Sequence, residues 1–274
     1  MPSSTVLVAT DLTARSDRPL DRAAVLADQI GAAVTVAHVI EGPGFDREQD
    51  EEVLRAVRAS LPPALTGAAV VSDHGAAPTV LAALANSEKA AAIVTGTGRY
   101  NGLSDFFLGT AVDHLVRHAE QPVLVVKRRA AGPYRSILLA TDYSDGALQA
   151  FEAALRLFPD AEFELVNAYS VPFETRAPSA DITEAAREEA EADMAAFVAR
   201  AAPPRPDAVR TVVAKGDVQT VMEQRVLRDA PDLVVIGSHG RSGWVQATLG
   251  SQASNLLKRL PSDVLVVRQA SASN

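Results

Sequence analysis

The sequence predicts an α/β protein in which one folding unit is written twice. The segment TVLVATD at residues 5–11 recurs as SILLATD at 136–142, and VLVV at 123–126 recurs unchanged at 264–267. Within each copy, short β-branched apolar runs alternate with longer segments of helical spacing. That alternation is typical of βαβ units around a mostly parallel sheet. We therefore predict a tandem duplication in which each copy folds as a domain of ordinary size.

The composition excludes several classes of protein. The chain has 274 residues, of which 47% are hydrophobic, with a formal net charge of -8 and no cysteine. The lack of cysteine excludes disulfides, thiolate metal sites and cysteine nucleophiles. The negative charge argues against nucleic acid as a partner, because nucleic-acid binding depends on clustered Lys and Arg. No apolar run approaches the length of a membrane span, so we expect a cytoplasmic protein with no membrane partner.

In copy one the predicted strands lie near residues 5–10, 33–40, 67–72, 91–96 and 122–127. The first helix is expected to begin near Ser16 and Asp17. Pro19 then falls in its first turn, where a missing N–H costs no hydrogen bond.

In copy two the predicted strands lie near residues 135–141, 161–169, 208–214, 232–237 and 263–268. A helix is expected to begin at Ser144 and Asp145, and residues 180–201 are expected to form a surface helix with a solvated acidic face. A helix that docks a partner is the alternative for that segment.

The join between the copies, KRRAAGP at 127–133, is short, polar and broken by Gly-Pro. Its basic residues are expected to form a solvated connector. The predicted domains are therefore residues 1–129 and 134–269.

The segment after the fourth strand of copy two has the composition of a phosphate-binding loop. The apolar run at 232–236 stops at Gly237-Ser238-His239-Gly240-Arg241, and a helical pattern begins after Gly250-Ser251. Glycines let backbone N–H groups approach a phosphate closely, and a helix start directs unpaired N–H donors at it. The spacing is neither the Walker pattern nor the dinucleotide fingerprint. The alternative is an ordinary tight loop that needs glycine for its backbone conformation.

Two further strand ends are expected to lie near the segment from Gly237 to Ser251, which we call the glycine loop. The reason is that ligands of open parallel sheets bind beyond the carboxyl ends of the strands. If the first strand of each copy lies beside the fourth, Asp142 comes next to the glycine loop. The second strand ends at Asn167-Ala168-Tyr169, whose backbone could contact an adenine edge. Asp142 could instead cap a turn.

The pattern Gly237, two residues, Gly240, nine residues, Gly250-Ser251 resembles the nucleotide-binding signature of the ATP-binding branch of the universal stress protein family. The resemblance covers nearly the whole chain in two copies. It implies two tandem copies of a Rossmann-like sheet of five parallel strands in the order 3-2-1-4-5, flanked by helices. It also implies a bound ATP whose Mg²⁺ is chelated mainly by the nucleotide.

The implied ligand contacts fall into three groups. Those near base and ribose are Ala140, Thr141, Asp142 and Ala168. Those near the phosphates are Gly237, Gly240, Gly250 and Ser251. The other members of the loop included in the predicted site are Ser238, His239 and Arg241.

Copy one departs from this pattern. Aligned without gaps, it reads Gly96, two residues, Arg99, nine residues, Gly109-Thr110, so the middle glycine is replaced. Shifting the alignment by one residue restores a middle glycine and loses the first. We expect ATP to bind copy two well and copy one weakly or not at all. The weaker equivalents in copy one are Asp11, Val39, Gly96, Gly109 and Thr110.

The sequence contains no convincing catalytic or metal-binding constellation. His114 and His118 have a spacing that zinc could use, but no third ligand is evident. No Gly-x-Ser-x-Gly nucleophile turn is present. We therefore predict no metal site and no catalytic residue.

The function most consistent with these observations is a nucleotide-binding stress or signalling protein whose occupancy controls its conformation or assembly. The alternatives are a slow ATPase or adenylyl-transfer enzyme on the same fold, and a module for a ligand other than ATP. The family resemblance further implies a homodimer of chains. Within one chain, the strands at 123–126 and 264–267 could pair.

Overall fold

The computed structural model describes residues 4–40, 47–97, 110–171, 180–238 and 249–269. Four residues of the predicted site lie outside these ranges: Gly109, His239, Gly240 and Arg241. The chain divides into two compact units. Unit 1 comprises residues 1–133 together with 263–268, and unit 2 comprises 134–262 together with 269–274.

The elements of copy one follow the predicted alternation of strand and helix. They are β1 (Thr5–Thr10), α1 (Asp17–Ile30), β2 (Ala33–Ile40), α2 (Arg47–Ser60), β3 (Ala69–His74), α3 (Ala77–Ser87), β4 (Ala92–Gly96), α4 (Thr110–His118) and β5 (Val123–Val126). A single turn of 3₁₀ helix, Pro63–Leu65, precedes β3.

The elements of copy two repeat that order. They are β6 (Ser136–Ala140), α5 (Asp145–Leu157), β7 (Glu162–Tyr169), α6 (Ala180–Ala201), β8 (Val209–Lys215), α7 (Val218–Asp229), β9 (Leu233–Gly237), α8 (Ser251–Arg259) and β10 (Asp263–Val267). Every predicted strand is present within two residues of its expected ends, and α6 matches the predicted surface helix. None of the helices in the described ranges is long and apolar enough to cross a lipid bilayer.

The strand order confirms the predicted fold class. In unit 1 the order is β3-β2-β1-β4-β5, and each neighbouring pair is parallel. In unit 2 the order is β8-β7-β6-β9, again with parallel pairs. In both units the first strand of the copy therefore lies between the second and the fourth, as a doubly wound sheet requires.

Strand β10 belongs to unit 1, although the predicted second domain contains it. It pairs with β5 in the antiparallel direction, with Leu265 opposite Leu124. This pair is the one expected between the final strands of the two copies. Both strands are almost fully buried, as expected for apolar strands covered on both faces.

A buried ionic cluster holds the start of β10 in unit 1. Asp263 is fully buried, and its Oδ1 accepts hydrogen bonds from the backbone N–H groups of Lys127 and Arg128, at 2.7 and 2.8 Å. Its Oδ2 lies 3.4 Å from Nε of Arg22 on α1. Burial lowers the pKa of Lys127 to about 8, against the attraction of Asp263, which raises it.

The cluster corrects one prediction. The basic run at 127–129 was expected to be a solvated connector, but the side chain of Lys127 is only 8% exposed. The physical reason is that Asp263 pairs with the backbone just after β5, which draws the start of the run into the interior. A carboxylate 136 positions away in the sequence is not visible to a local composition argument.

Candidate functional site

The loop after β6 is built by short-range hydrogen bonds. The backbone N–H of Thr141 donates to the carbonyl of Val166 at 2.9 Å, which extends the pairing of β6 and β7. The hydroxyl of Thr141, which is buried, accepts from the N–H of Tyr143 at 3.0 Å. Oδ1 of Asp142 accepts from the N–H of Ser144 at 3.1 Å. The half-buried Asp142 is thereby fixed at the carboxyl end of β6, where a ligand of this fold would lie.

Helix α5 begins directly after this loop. Ser144 is its N-cap, with a side-chain oxygen that accepts from the N–H of Ala147 at 3.2 Å. The prediction that a helix begins at Ser144 and Asp145 is confirmed. The start of α5 presents the positive end of the helix dipole toward the same strand ends.

The end of β7 is tied to the end of β6. Asn167 is buried, and its Nδ2 donates to the carbonyl of Thr141 at 2.9 Å. The next residue, Ala168, is half-buried near the end of the strand. Asn167 is a positioning residue that the sequence argument named only as part of the strand end.

The end of β9 packs directly on the first turn of α5. A Cβ added to Gly237 would lie 3.0 Å from the carbonyl oxygen of Gly146 and 3.3 Å from the backbone nitrogen of Ala147. Such distances are tighter than most contacts that a Cβ makes, so the neighbouring backbone would have to shift by a few tenths of an ångström. Gly237 therefore favours this close approach of strand to helix, and its backbone conformation is one that any residue could adopt.

The two described ends of the glycine loop are closed on each other. The N–H of Gly250 donates to the carbonyl of Ser238 at 2.9 Å, and α8 begins at Ser251. The hydroxyl of Ser238, which is 1% exposed, accepts from the N–H of Gln269 at 3.3 Å. Ser238 thus holds the loop together through its own carbonyl and hydroxyl groups.

The structure therefore brings several predicted residues to one place in unit 2. The β6 loop and the end of β9 both contact the first turn of α5, one through Ser144 and the other through Gly237. This edge has a carboxylate that could accept hydrogen bonds from ribose hydroxyls and two helix starts that could face phosphate. Among the described residues, no group of three or more His, Asp or Glu is arranged to hold a metal ion.

The predicted histidine pair lies in unit 1, on α4. The rings of His114 and His118 are 4.1 Å apart between centroids. Burial lowers the pKa of His118, and the neighbouring His114, Arg268 and Arg117 lower it further. This environment favours the neutral form of His118.

The equivalent loop in unit 1 has a different internal structure. Six residues, 11–16, separate β1 from α1, whereas four residues, 141–144, separate β6 from α5. The unit 1 loop is therefore two residues longer.

The exposed Asp11 is bonded within that longer loop. Its Oδ1 accepts from both the N–H and the hydroxyl of Thr13, at 3.0 and 2.7 Å, and from the hydroxyl of Ser16 at 2.7 Å. Burial raises its pKa, but these hydrogen bonds together outweigh burial and lower it. The expected helix start at Ser16 and Asp17 is confirmed, but Ser16 does not cap the helix with its side chain. The hydroxyl of Ser16 donates to the carboxylate of Asp11 instead.

The remaining described equivalents in unit 1 occupy the predicted positions. His38 replaces Asn167, with Nδ1 2.9 Å from the carbonyl of Thr10, so this nitrogen must be the protonated one. Val39 follows it, as Ala168 follows Asn167. A Cβ added to Gly96 would lie 3.1 Å from Cγ of Pro19, on the first turn of α1. Thr110 is the first residue of α4.

The strand order and the loops at the strand ends define a doubly wound α/β protein in which the same folding unit occurs twice. The model of the universal stress protein family matches residues 3–127 and again 133–268, so the chain belongs to that family. A comparison with curated protein sequences gives no match.

Two similar solved structures cover almost the entire chain, and a third covers less than half of it. A universal stress protein from Archaeoglobus fulgidus DSM 4304 is 19% identical over 98% of this chain and 100% of its own, with a TM-score of 0.68. A functionally unknown protein from Pseudomonas aeruginosa PAO1 is 19% identical over 97% of this chain and 92% of its own, with a TM-score of 0.67. A universal stress protein solved in complex with cAMP is 23% identical over 46% of this chain and 98% of its own, with a TM-score of 0.38.

Proposed function

We propose that this protein binds ATP with Mg²⁺ in unit 2 and responds to a change in nucleotide occupancy with a change in conformation or assembly. The observation that supports the proposal most strongly is the convergence of two loops on the start of α5. Asp142 is fixed there through Ser144, and the end of β9 approaches so closely that a Cβ at 237 would press against the backbone of α5. Oxygen acceptors and helix N-termini are the groups that recognise ribose and phosphate.

In this proposal each side of the site has its own task. Asp142 accepts hydrogen bonds from the ribose hydroxyls, and Ala140, Thr141 and Ala168 lie beside the base. The phosphates lie against Gly237, Gly250 and the start of α8 at Ser251. His239, Gly240 and Arg241 complete the loop in the sequence and remain predicted contacts. Mg²⁺ is chelated mainly by the phosphate oxygens, which are the hard ligands this ion prefers.

Unit 1 is proposed to bind nucleotide weakly or not at all. Its loop is longer, and Oδ1 of Asp11 already accepts three internal hydrogen bonds. A ribose would have to compete with these groups for the carboxylate, so part of the binding free energy would be lost. A cytoplasmic location and homodimerisation of the chain are the further parts of the proposal.

Calorimetric titration of ATP·Mg²⁺ into the full chain tests the proposal. Asp142→Asn keeps an oxygen acceptor for Ser144 but removes the charge that a ribose would use. The expected loss of affinity is about 10- to 100-fold, from a hydrogen bond to a charged group worth about 1.5–3 kcal/mol. The matched control is Asp160→Asn, which removes an exposed carboxylate beyond the other end of α5.

Three results would contradict the proposal: no heat with the wild type, no loss with Asp142→Asn, or an equal loss with Asp160→Asn. Assaying the same samples for ADP and for adenylylated product tests the two enzyme alternatives. Rapid turnover would replace the binding function with an enzymatic one.

A further inference from the structure

The residue that follows Asp142 has an unusual backbone conformation. Tyr143 has φ 66°, in the left-handed region that non-glycine residues seldom occupy. Its counterpart in unit 1, Leu12, has φ 60°. The same turn therefore occurs after the first strand of both copies, at a conformational cost of about 1 kcal/mol for an L-residue. In such positions the surrounding contacts must hold the backbone in place.

The side chain of Tyr143 contacts helix α6 in two ways. Its hydroxyl donates to the carbonyl of Ala190, in the middle of α6, at 2.7 Å. Its ring lies 6.0 Å from that of Phe197, also on α6, between centroids. Phe197 is 1% exposed and stacks on Phe151 of α5 at 6.2 Å. The ring of Tyr143 is therefore part of the aromatic packing between α5 and α6.

The counterpart in unit 1 lacks this arrangement. Leu12 is 38% exposed and has no hydroxyl to donate. The connection between loop and helix is thus specific to the unit whose glycine motif is complete, although both loops share their backbone turn.

The backbone of Tyr143 belongs to the proposed ligand loop. Its N–H donates to the hydroxyl of Thr141, and its two neighbours, Asp142 and Ser144, are bonded to each other. A displacement of the tyrosine ring that rotation about its side-chain bonds does not absorb would therefore turn the peptide groups on both sides of it. A second connection, an ion pair between Arg200 of α6 and Asp145 of α5, lies one turn further along.

We propose that Tyr143 is a positioning residue that sets the orientation of Asp142 and couples ligand occupancy in unit 2 to α6. The coupling part of this inference rests on the proposed function. A ligand held by Asp142 restrains the loop, and the hydroxyl of Tyr143 passes that restraint to the backbone of α6 at Ala190. Because coupling between two sites is reciprocal, loosening α6 weakens the binding of the ligand. Helix α6 is then the element outside the ligand loop that responds to occupancy.

Hydrogen exchange measured by mass spectrometry on the full chain tests this inference. Tyr143→Phe keeps the ring and removes the hydroxyl. Without nucleotide, we expect exchange in peptides covering 186–197 to become about 2- to 10-fold faster, the range for one lost hydrogen bond. The matched control is Tyr134→Phe, which removes a hydroxyl from a second tyrosine of unit 2, one that is buried and packs edge-on against Phe158. It should leave exchange in α6 unchanged.

The second half of the experiment adds ATP·Mg²⁺. In the wild type we expect slower exchange in α6 as well as at the strand ends. In Tyr143→Phe we expect ATP to bind about 2- to 10-fold more weakly and, at saturation, to protect the strand ends without protecting α6. A role in packing alone would not remove the ATP-dependent protection.

Each failure has a distinct signature. Unchanged exchange in α6 of Tyr143→Phe without nucleotide overturns the positioning role. Equal protection of α6 by ATP in the variant and the wild type overturns the coupling. If the wild type binds no ATP, the proposed function and the coupling fall together, while the comparison without nucleotide still decides the positioning role.

Discussion

Replacing Gly237 with alanine tests the packing that brings the two loops of unit 2 together. The added methyl group would stand 3.0 Å from a carbonyl oxygen, 3.1 Å from a carbonyl carbon and 3.3 Å from a backbone nitrogen, all in the first turn of α5. Backbone atoms at a helix start cannot move without disturbing the cap at Ser144. We expect the strain to reduce the free energy of unfolding by about 1–3 kcal/mol, the usual cost of overpacking.

The assay is differential scanning calorimetry of the full chain, in which this loss should lower Tm by about 2–10 °C. Two controls separate packing from the general effect of replacing glycine. At Gly67 an added Cβ meets nothing within 4 Å, so alanine should leave Tm unchanged or slightly raised. At Gly96 the obstacle at 3.1 Å is the ring of Pro19, which can shift more readily, so the loss should be intermediate. A Gly237→Ala protein as stable as the Gly67→Ala protein would refute the reasoning.

Three further predictions concern charged groups of unit 1. Lys127→Met should raise the free energy of unfolding at neutral pH by about 1–3 kcal/mol, because it removes a buried charge. It should also abolish the rise in stability expected for the wild type between pH 8 and 10.5, where the lowered pKa makes the folded state release its proton before the unfolded state does. Urea unfolding at several pH values would show both effects, and a loss of stability would contradict the prediction. Asp263→Ala should cost about 3–5 kcal/mol in the same assay, since it removes the buried carboxylate facing Arg22, and a cost below that of an ordinary surface change would show the cluster to be unimportant. Asp11→Asn should make the free energy of unfolding depend less on pH in the acidic range. A carboxylate with a lowered pKa stabilises the fold above its ordinary pKa and loses that effect as the pH falls through the lowered value. An unchanged dependence of stability on pH would contradict this.

Most of the fold could be predicted from the sequence because its signals are local or repeated. Strands that are buried on both faces appear as short apolar runs, such as residues 233–237. Because the unit is duplicated, each such run in one copy has a corresponding run in the other. The turn after β6 was located correctly because an Asp, a Ser and the start of an amphipathic pattern follow one another at residues 142–145.

What could not be predicted depends on contacts distant in sequence. Nothing local to Lys127 indicates that Asp263 will bury it. Ser16 has the right residue type for an N-cap, but a carboxylate five residues earlier takes its hydroxyl. Gly146 was overlooked, although a glycine in the first turn of a helix is itself a sign of close packing against a neighbour.

The anchoring of Tyr143 was invisible for a related reason. Its hydrogen bond to Ala190 is made to a helix that begins 37 residues later. An aromatic residue in a loop between an aspartate and a serine gives no indication of that partner. The repeat offered one signal, because the same position is occupied by leucine in copy one and tyrosine in copy two.

The most direct test of the central claim is a count of nucleotides bound to each chain. Native mass spectrometry of the full chain, titrated with ATP·Mg²⁺ after any retained ligand has been removed, gives that count without assuming a site. The account predicts one nucleotide per chain at saturation of the strong site, and its loss in Asp142→Asn. Two equivalent nucleotides per chain, or none, would contradict the claim that unit 2 alone has a working nucleotide site.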